Sequence, residues 1–571
     1  MLSHMPHQTL RSLALSAVWL CCAPACLAQA NETWQAELEA LFAPYDRTDA
    51  PGLAVGIERD GEIVFARGYG MADLEHNVPV TPETIFHAAS ISKQFTAFSI
   101  ALLAQENALS VDDDIRIYLP DMPEFEEPVL VRYLISHTSG LRSFGDLFML
   151  GGQEMDSVWR HGQVLSVIER QTALDFTPGS EHTYNNTGYA LLAEITERAS
   201  GQPIRDFLHD RVFAPLGMTH SRIGDDSTEI IPNRALSYAP GAAGDNDLPW
   251  HRQFLNFETI GSTGLKTNVT DLLIWGHHFE ELAENSPDLF STISTTAALN
   301  DGTPINYAYG LTWQNFAGHR SIGHSGSEAA FRARIAHFPA ENVSMVVLSN
   351  MHVDNASIVE DMARIYLGEG DDHLPGAIAP QIEPSPDLID ALAGTYLYEF
   401  GRLFTLEIVE GELIWSERNG ASQSPLIFHA DGSFEQEGRR HWTYFTPVYS
   451  DDGRAISALI RHDDPDRAVR IERTAQWSPE PSDLSIYEGD YFSPEVDQTW
   501  TIELKDDALY AHSLWSTHDL PLTPAIEDRF DSEWPLNTLI FDRDEAGDIT
   551  GLRIHSGRAR NVTFNRLGGT E

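Results

Sequence analysis

The sequence predicts an α+β domain followed by two small antiparallel β-barrel domains. Three observations carry this. Short strand patterns stand at both ends of residues 31–368 with helical patterns between them, which suggests an antiparallel sheet assembled from the two ends and flanked by helices. Composition then changes over 369–387, where Pro375, Pro380, Pro384 and Pro386 among acidic residues mark a linker. Beyond it the chain repeats itself at an offset of about 95 residues. Leu392-Ala393-Gly394-Thr395-Tyr396 matches Tyr487-Glu488-Gly489-Asp490-Tyr491, and Phe404-Thr405-Leu406-Glu407-Ile408 matches Trp500-Thr501-Ile502-Glu503-Leu504. Val469 to Arg473 likewise matches Val562 to Arg566. Alternating apolar residues with turn signals every eight to twelve positions read as barrels over 388–475 and 485–571, joined by a linker at 476–484.

Taken in order, residues 1–30 look like a secretory leader. Arg11 supplies charge, Leu13 to Cys22 form an apolar run, and Ala28-Gln29-Ala30 ends it in small residues, with cleavage after Ala28 or Ala30. The run is short for a membrane span, so no stable insertion is expected once it is removed. A secreted or periplasmic protein follows; Ala23-Pro24-Ala25-Cys26 keeps a lipoprotein anchor as a minor alternative. All three cysteines lie in this segment, so the mature chain has no disulfide and no thiol chemistry. Trp34 to Tyr45 reads as a helix. Gly52–Ile57 and Glu62–Gly68 read as a hairpin around Asp60-Gly61. Helices are expected from Ser90 to about Asn107, over Val129–Ile135, Val164–Leu174 and Phe207–Leu216, from Tyr184 onward, and over Asp271–Glu281. Strands Phe331–Phe338 and Val343–Ser349 and a closing helix Ala356–Leu367 complete the region.

The formal charge of −48 argues against nucleic acid and anionic membranes as partners. Only three of the 37 basic residues are lysines: Lys93, Lys266 and Lys505. Lys93 alone stands three positions after a serine, Ser90. Apolar residues at Ile91, Phe95, Phe98 and Leu102 place both on the first turn of a buried helix, on one face. A serine hydroxyl needs a base to take its proton, and an amine serves only if burial or cations lower its proton affinity. The plain alternative is a helix cap beside a solvated charge.

Ser90-x-x-Lys93 is followed by Tyr184-x-Asn186 and His324-x-Gly326. Around them stand His137-Thr138-Ser139-Gly140-Leu141, Phe176-x-Pro178-Gly179 and Phe331-Arg332. Over about residues 35–368 this resembles the penicillin-recognising serine hydrolases, the superfamily of class C β-lactamases and D,D-peptidases. The resemblance implies that fold for the catalytic domain, a Ser90 acyl-enzyme, no cofactor and no metal. It further implies Lys93 and Tyr184 as proton carriers, Asn186 as a hydrogen-bond donor to Lys93 or substrate, and His324 on the opposite wall. Backbone N–H groups of Ser90 and Ser327, beside Gly326, would form the oxyanion hole. His324 stands where β-lactamases and D,D-peptidases carry a lysine, and a histidine is mostly neutral at pH 7. Arg332 or Arg334 is a candidate for the missing charge. The His-x-Gly form and the two barrels are similar to bacterial D-stereospecific aminopeptidases, so D-aminopeptidase-like hydrolysis of a small peptide or amide is expected. Esterase, D,D-carboxypeptidase or β-lactamase action is the alternative. From another class, the chain reads as a non-catalytic cell-wall or penicillin-binding protein.

Two other patterns compete. Gly323-His324-Ser325-Gly326-Ser327 nearly spells a nucleophile elbow around Ser325, but lacks its last glycine and a βαβ setting. His555-Ser556-Gly557 repeats the His-x-Gly pattern in the second barrel and reads as a decoy. His277-His278 shows no metal-ligand spacing. Oligomeric state and the water-activating group for deacylation are not legible.

Overall fold

A computed structural model describes residues 23–568 apart from 242–248, 371–379, 398–402, 418–421, 431, 437–443, 451–454, 462–467, 476 and 517. Residues 1–22 of the expected leader and residues 371–379 of the expected Pro-rich linker lie outside the described residues. The first described element is the helix Ala23–Phe42.

A six-stranded antiparallel sheet joins the two ends of the first domain. Its order is Thr312–Phe316, His319–Glu328, Phe331–Phe338, Val343–Ser349, Leu53–Arg59, Glu62–Tyr69. Leu53 pairs with Ser349 and Arg59 with Val343, so the N-terminal hairpin is held by strands nearly 300 residues later. Every residue of Val343–Ser349 is buried, which explains its apolar run Met345–Leu348. The helices Ala23–Phe42 and Asn355–Leu367 cover one face, packing Leu38, Phe42, Val359 and Met362 on Val55, Ile57 and Met345. The helix Val269–Asn285 covers the other, with Val269 and Leu273 against Gly56.

The Ser90 helix runs through the middle of the helical half. A 3-10 turn, Ala89–Ile91, leads into the α-helix Ser92–Gln105. Ile91, Phe95 and Ile100 are fully buried, as their spacing predicts, each side chain worth about 1.5–3 kcal/mol. The helix expected over Val164–Leu174 ends earlier, spanning His161–Glu169. After it Gln171 turns its amide oxygen to the Arg142 N–H at 2.9 Å, a tertiary bond that ends the helix where periodicity alone would continue it.

Both barrels close with eight antiparallel strands; the first also carries the short strand Gln381–Ile382 on its outside. The repeat seen in sequence is a repeat of contacts. Tyr396 pairs with Phe404 and Arg473 in one barrel, Tyr491 with Trp500 and Arg566 in the other. Each tyrosine hydroxyl donates to the carbonyl four residues before it, Leu392 or Tyr487. Each arginine lies 6.0 Å from its tyrosine ring centroid.

The second barrel is docked on the helical half. Arg142, 2% exposed, donates to Glu495 at 2.9 Å and to the carbonyls of Arg560 and Asn561, and lies 3.2 Å from Asp175. Arg560 donates to Glu181 at 2.9 Å and the Trp500 indole to the Leu150 carbonyl at 3.1 Å. The barrel's core is continuous with that around the Ser90 helix, whereas the first barrel keeps a core of its own.

Candidate active site

Ser90 sits in the 3-10 turn at the head of its helix, partly open to solvent. Lys93, one turn on, is fully buried. Its Nζ lies 3.2 Å from Ser90 Oγ, 2.8 Å from Asn186 Oδ1 and 2.8 Å from the Ser262 carbonyl oxygen. Burial holds the amine well below its ordinary proton affinity, and the Arg558 charge adds to this against the opposing pull of Glu328. A neutral amine has two N–H donors and one lone pair. Asn186 and Ser262 take the donors, so the lone pair is left for the Ser90 hydroxyl.

Asn186 therefore accepts from Lys93 rather than donating to it. The cap of the following helix is its neighbour: the Asn185 side chain accepts from Thr187 N, and Asn186 opens the helix Asn186–Ser200 facing the lysine. Asn185 also donates to the Leu141 carbonyl, and its own N–H donates to His137 Nδ1 at 3.1 Å. The segment His137–Leu141 thus holds the Tyr184 loop in place. Gly140 adopts φ 73°, and a side chain there would meet the Phe176 carbonyl oxygen at 2.1 Å.

Tyr184 stands beside both, its ring centroid 4.9 Å from Lys93 Nζ. Burial pushes its hydroxyl up to about 12, against the opposing effect of its hydrogen bond with Ser90. His324 lies across the site in the middle of the strand His319–Glu328, 7% exposed. Burial, with a smaller contribution from Lys93 whenever that amine is protonated, brings it down to about 3, so it is neutral. Its Nδ1–H donates to the Ser325 carbonyl, which leaves Nε2 to accept from the Tyr307 hydroxyl at 3.2 Å. Tyr307, Tyr184 and His137 form an aromatic wall, with ring centroids 4.3 and 4.5 Å from that of His137. Gly326 brings the strand against the Ser90 turn: a Cβ there would lie 2.2 Å from the Ala88 carbonyl oxygen. Ser327, next along, is exposed at the same edge. Ser325 pairs with Arg334 within the sheet.

Arg332 and Arg334 are otherwise engaged. Arg334 is buried and donates to Gln314 and Asn355. Arg332 donates to the carbonyls of Ala329 and Phe331. The cation that does reach the site comes from the second barrel, on the hairpin that carries His555-Ser556-Gly557. The Arg558 guanidinium lies 5.1 Å from the Tyr184 ring centroid. Its backbone N–H donates to Asp146 at 3.0 Å. His555 itself accepts the Asn561 N–H at 3.2 Å. Sequence reasoning missed Arg558, because only docking joins it to Tyr184.

It also missed a polar network behind the serine. Glu328 bonds to His87 Nε2 and to the Thr263 hydroxyl, and Lys266 Nζ lies 2.6 Å from His87 Nδ1. Burial pushes the Glu328 carboxyl up, but His87, Thr263 and Lys266 outweigh it and hold it below its ordinary value. Burial brings Lys266 down to about 8. Elsewhere, His277 lies 3.4 Å from Glu58 and 3.2 Å from Glu280 in a polar cluster at the Asp60-Gly61 turn.

A helix-borne serine with a buried lysine one turn on, facing a tyrosine and a sheet edge, defines a serine hydrolase of the lysine-assisted kind. The family described as Beta-lactamase matches residues 38–379, and the chain belongs to it. The chain is 27% identical over 535 residues to a D-aminopeptidase of Brucella canis, spanning 90% of this chain and 96% of that one. A D-aminopeptidase of Brucella anthropi is 27% identical over 534 residues, spanning 90% and 95%. The structure of the octameric penicillin-binding protein homologue from Pyrococcus abyssi superposes with a TM-score of 0.52 at 24% identity, covering 78% of this chain and all of that one.

Proposed function

We propose that this chain is an exported serine hydrolase that cleaves amide or peptide bonds of small D-amino-acid substrates through a Ser90 acyl-enzyme. One observation carries the reading: Lys93 Nζ lies 3.2 Å from Ser90 Oγ with both its N–H groups already bonded to neutral acceptors. The likeness to D-aminopeptidases over nearly the whole chain supports the D-residue substrate class.

The chemistry follows from the geometry. Ser90 gives its proton to the Lys93 amine as Oγ bonds to the substrate carbonyl carbon. Negative charge on the carbonyl oxygen is met by the backbone N–H groups of Ser90 and Ser327, at the edge that Gly326 holds close. As the C–N bond breaks, Tyr184 gives its hydroxyl proton to the departing nitrogen and regains one from Lys93. A hydroxyl raised to about 12 keeps its proton at neutral pH, so Tyr184 is the donor and Lys93 the base. Water then adds to the ester carbonyl, its proton passing through Lys93 to the departing Ser90 oxygen. His324, being neutral, contributes shape and polarity to the wall rather than charge.

A fluorophosphonate probe, with the adduct located by peptide mass spectrometry, tests this directly. The adduct is expected on Ser90 in the wild type and on no residue in Ser90→Ala. Turnover of D-alanine p-nitroanilide or D-alanyl-D-alanine should vanish with it, and nitrocefin and p-nitrophenyl esters in the same screen separate lactamase and esterase action. A folded wild type that forms no adduct at Ser90 sinks the reading.

A further inference from the structure

We infer that Arg558, delivered by the second barrel, forms a binding subsite for a carboxylate on the departing half of the substrate. The inference rests on the hydrolase reading above and names the substrate class that this site prefers.

Four observations carry it. The guanidinium lies 5.1 Å from the centroid of the Tyr184 ring, the residue that protonates the leaving group, so it stands on the leaving-group side of Ser90. Arg558 is exposed, and among the described residues its side chain makes no ion pair and no hydrogen bond, whereas its neighbour Arg560 is paired with Glu181 at 2.9 Å. All five guanidinium N–H donors are therefore open to a ligand. The hairpin is anchored on both sides, by Arg558 N to Asp146 and by Arg560 N to Asp175, each at 3.0 Å, so the side chain is presented from a fixed base. Finally, the two arginines of the strand after His324 are bonded to acceptors of their own chain, and His324 is neutral. Among the described residues Arg558 is thus the cation of the site whose whole guanidinium is unbonded and exposed.

A guanidinium in this position matches a carboxylate in two parallel hydrogen bonds, with charge assisting both. The substrate that fits is a short peptide whose leaving residue ends in a free carboxylate, such as a dipeptide cleaved at its single peptide bond. Blocking that carboxylate as an amide leaves Arg558 unpaired and removes the advantage.

The experiment measures kcat/KM for D-alanyl-D-alanine and for D-alanyl-D-alaninamide, and follows their ratio. The wild type is expected to favour the free acid. Arg558→Ala is expected to lower the free-acid to amide ratio by about tenfold or more, Arg558→Glu to lower it further, and Arg558→Lys to retain part of it. Thermal melts of each variant report folding. A ratio within twofold of wild type in folded Arg558→Ala overturns the inference, as does Ser90 acylation with neither peptide cleaved. Failure of the wild type to acylate at Ser90 overturns the hydrolase reading and this inference together.

Discussion

Lys93 has two neutral acceptors for its two N–H groups and, among the described residues, no carboxylate in contact. On the proposed mechanism it therefore acts as a base only while unprotonated. Its proton affinity is held down by burial, so kcat/KM should rise with pH to a plateau as the amine is freed, and fall away as pH drops through the lysine's own titration. Tyr184, raised to about 12, should add no descending limb below about pH 10. A descending limb in that range that disappears in Tyr184→Phe would instead identify a tyrosinate base. Ser90 and Lys93 were legible in the sequence because three residues apart on a helix means one face. Asn186 was legible as a member of the site but not in its direction, because a carboxamide carries both donor and acceptor. Arg558 and Glu328 were not legible: Arg558 meets Tyr184, and Glu328 meets His87, across more than 200 residues, and no period or spacing encodes such a contact.

At the level of elements, the His324 strand and the Ser90 turn meet where Gly326 has no side chain. Both surfaces are backbone, so neither can rotate out of the way. Gly326→Ala places a Cβ where the Ala88 carbonyl oxygen stands, and the strand must move off the turn. The expected result is a loss of kcat/KM of about a hundredfold or more with a melting point lowered by only a few degrees. A variant with wild-type turnover would mean that this edge does not line the oxyanion site. The sheet and both barrels were readable from alternation and repeat, since a two-residue period marks strands that bury one face. Which strands close each barrel was not, because closure depends on partners far apart in the chain, such as Thr395 and Thr474.

Across the whole molecule, the catalytic domain and the second barrel share a core and a buried charge cluster. Arg142 serves two carboxylates, Asp175 and Glu495, each with its side chain 3% exposed. Arg142→Ala leaves both buried without their cation, at a cost of about 3–5 kcal/mol. Urea unfolding should show a lower midpoint, partly restored by adding Glu495→Gln; a loss under about 1 kcal/mol would mean that solvent reaches the cluster. The order of the sheet has a different consequence, which concerns time. The nucleophile's helix leaves the ribosome early, but the wall carrying His324 and Gly326 follows more than 200 residues later, and Arg558 more than 200 after that. At ordinary synthesis rates the first interval alone lasts roughly 10–50 s. During it Ser90 has neither oxyanion edge nor opposing wall. On the proposed mechanism the nascent chain is thus chemically silent until that wall arrives.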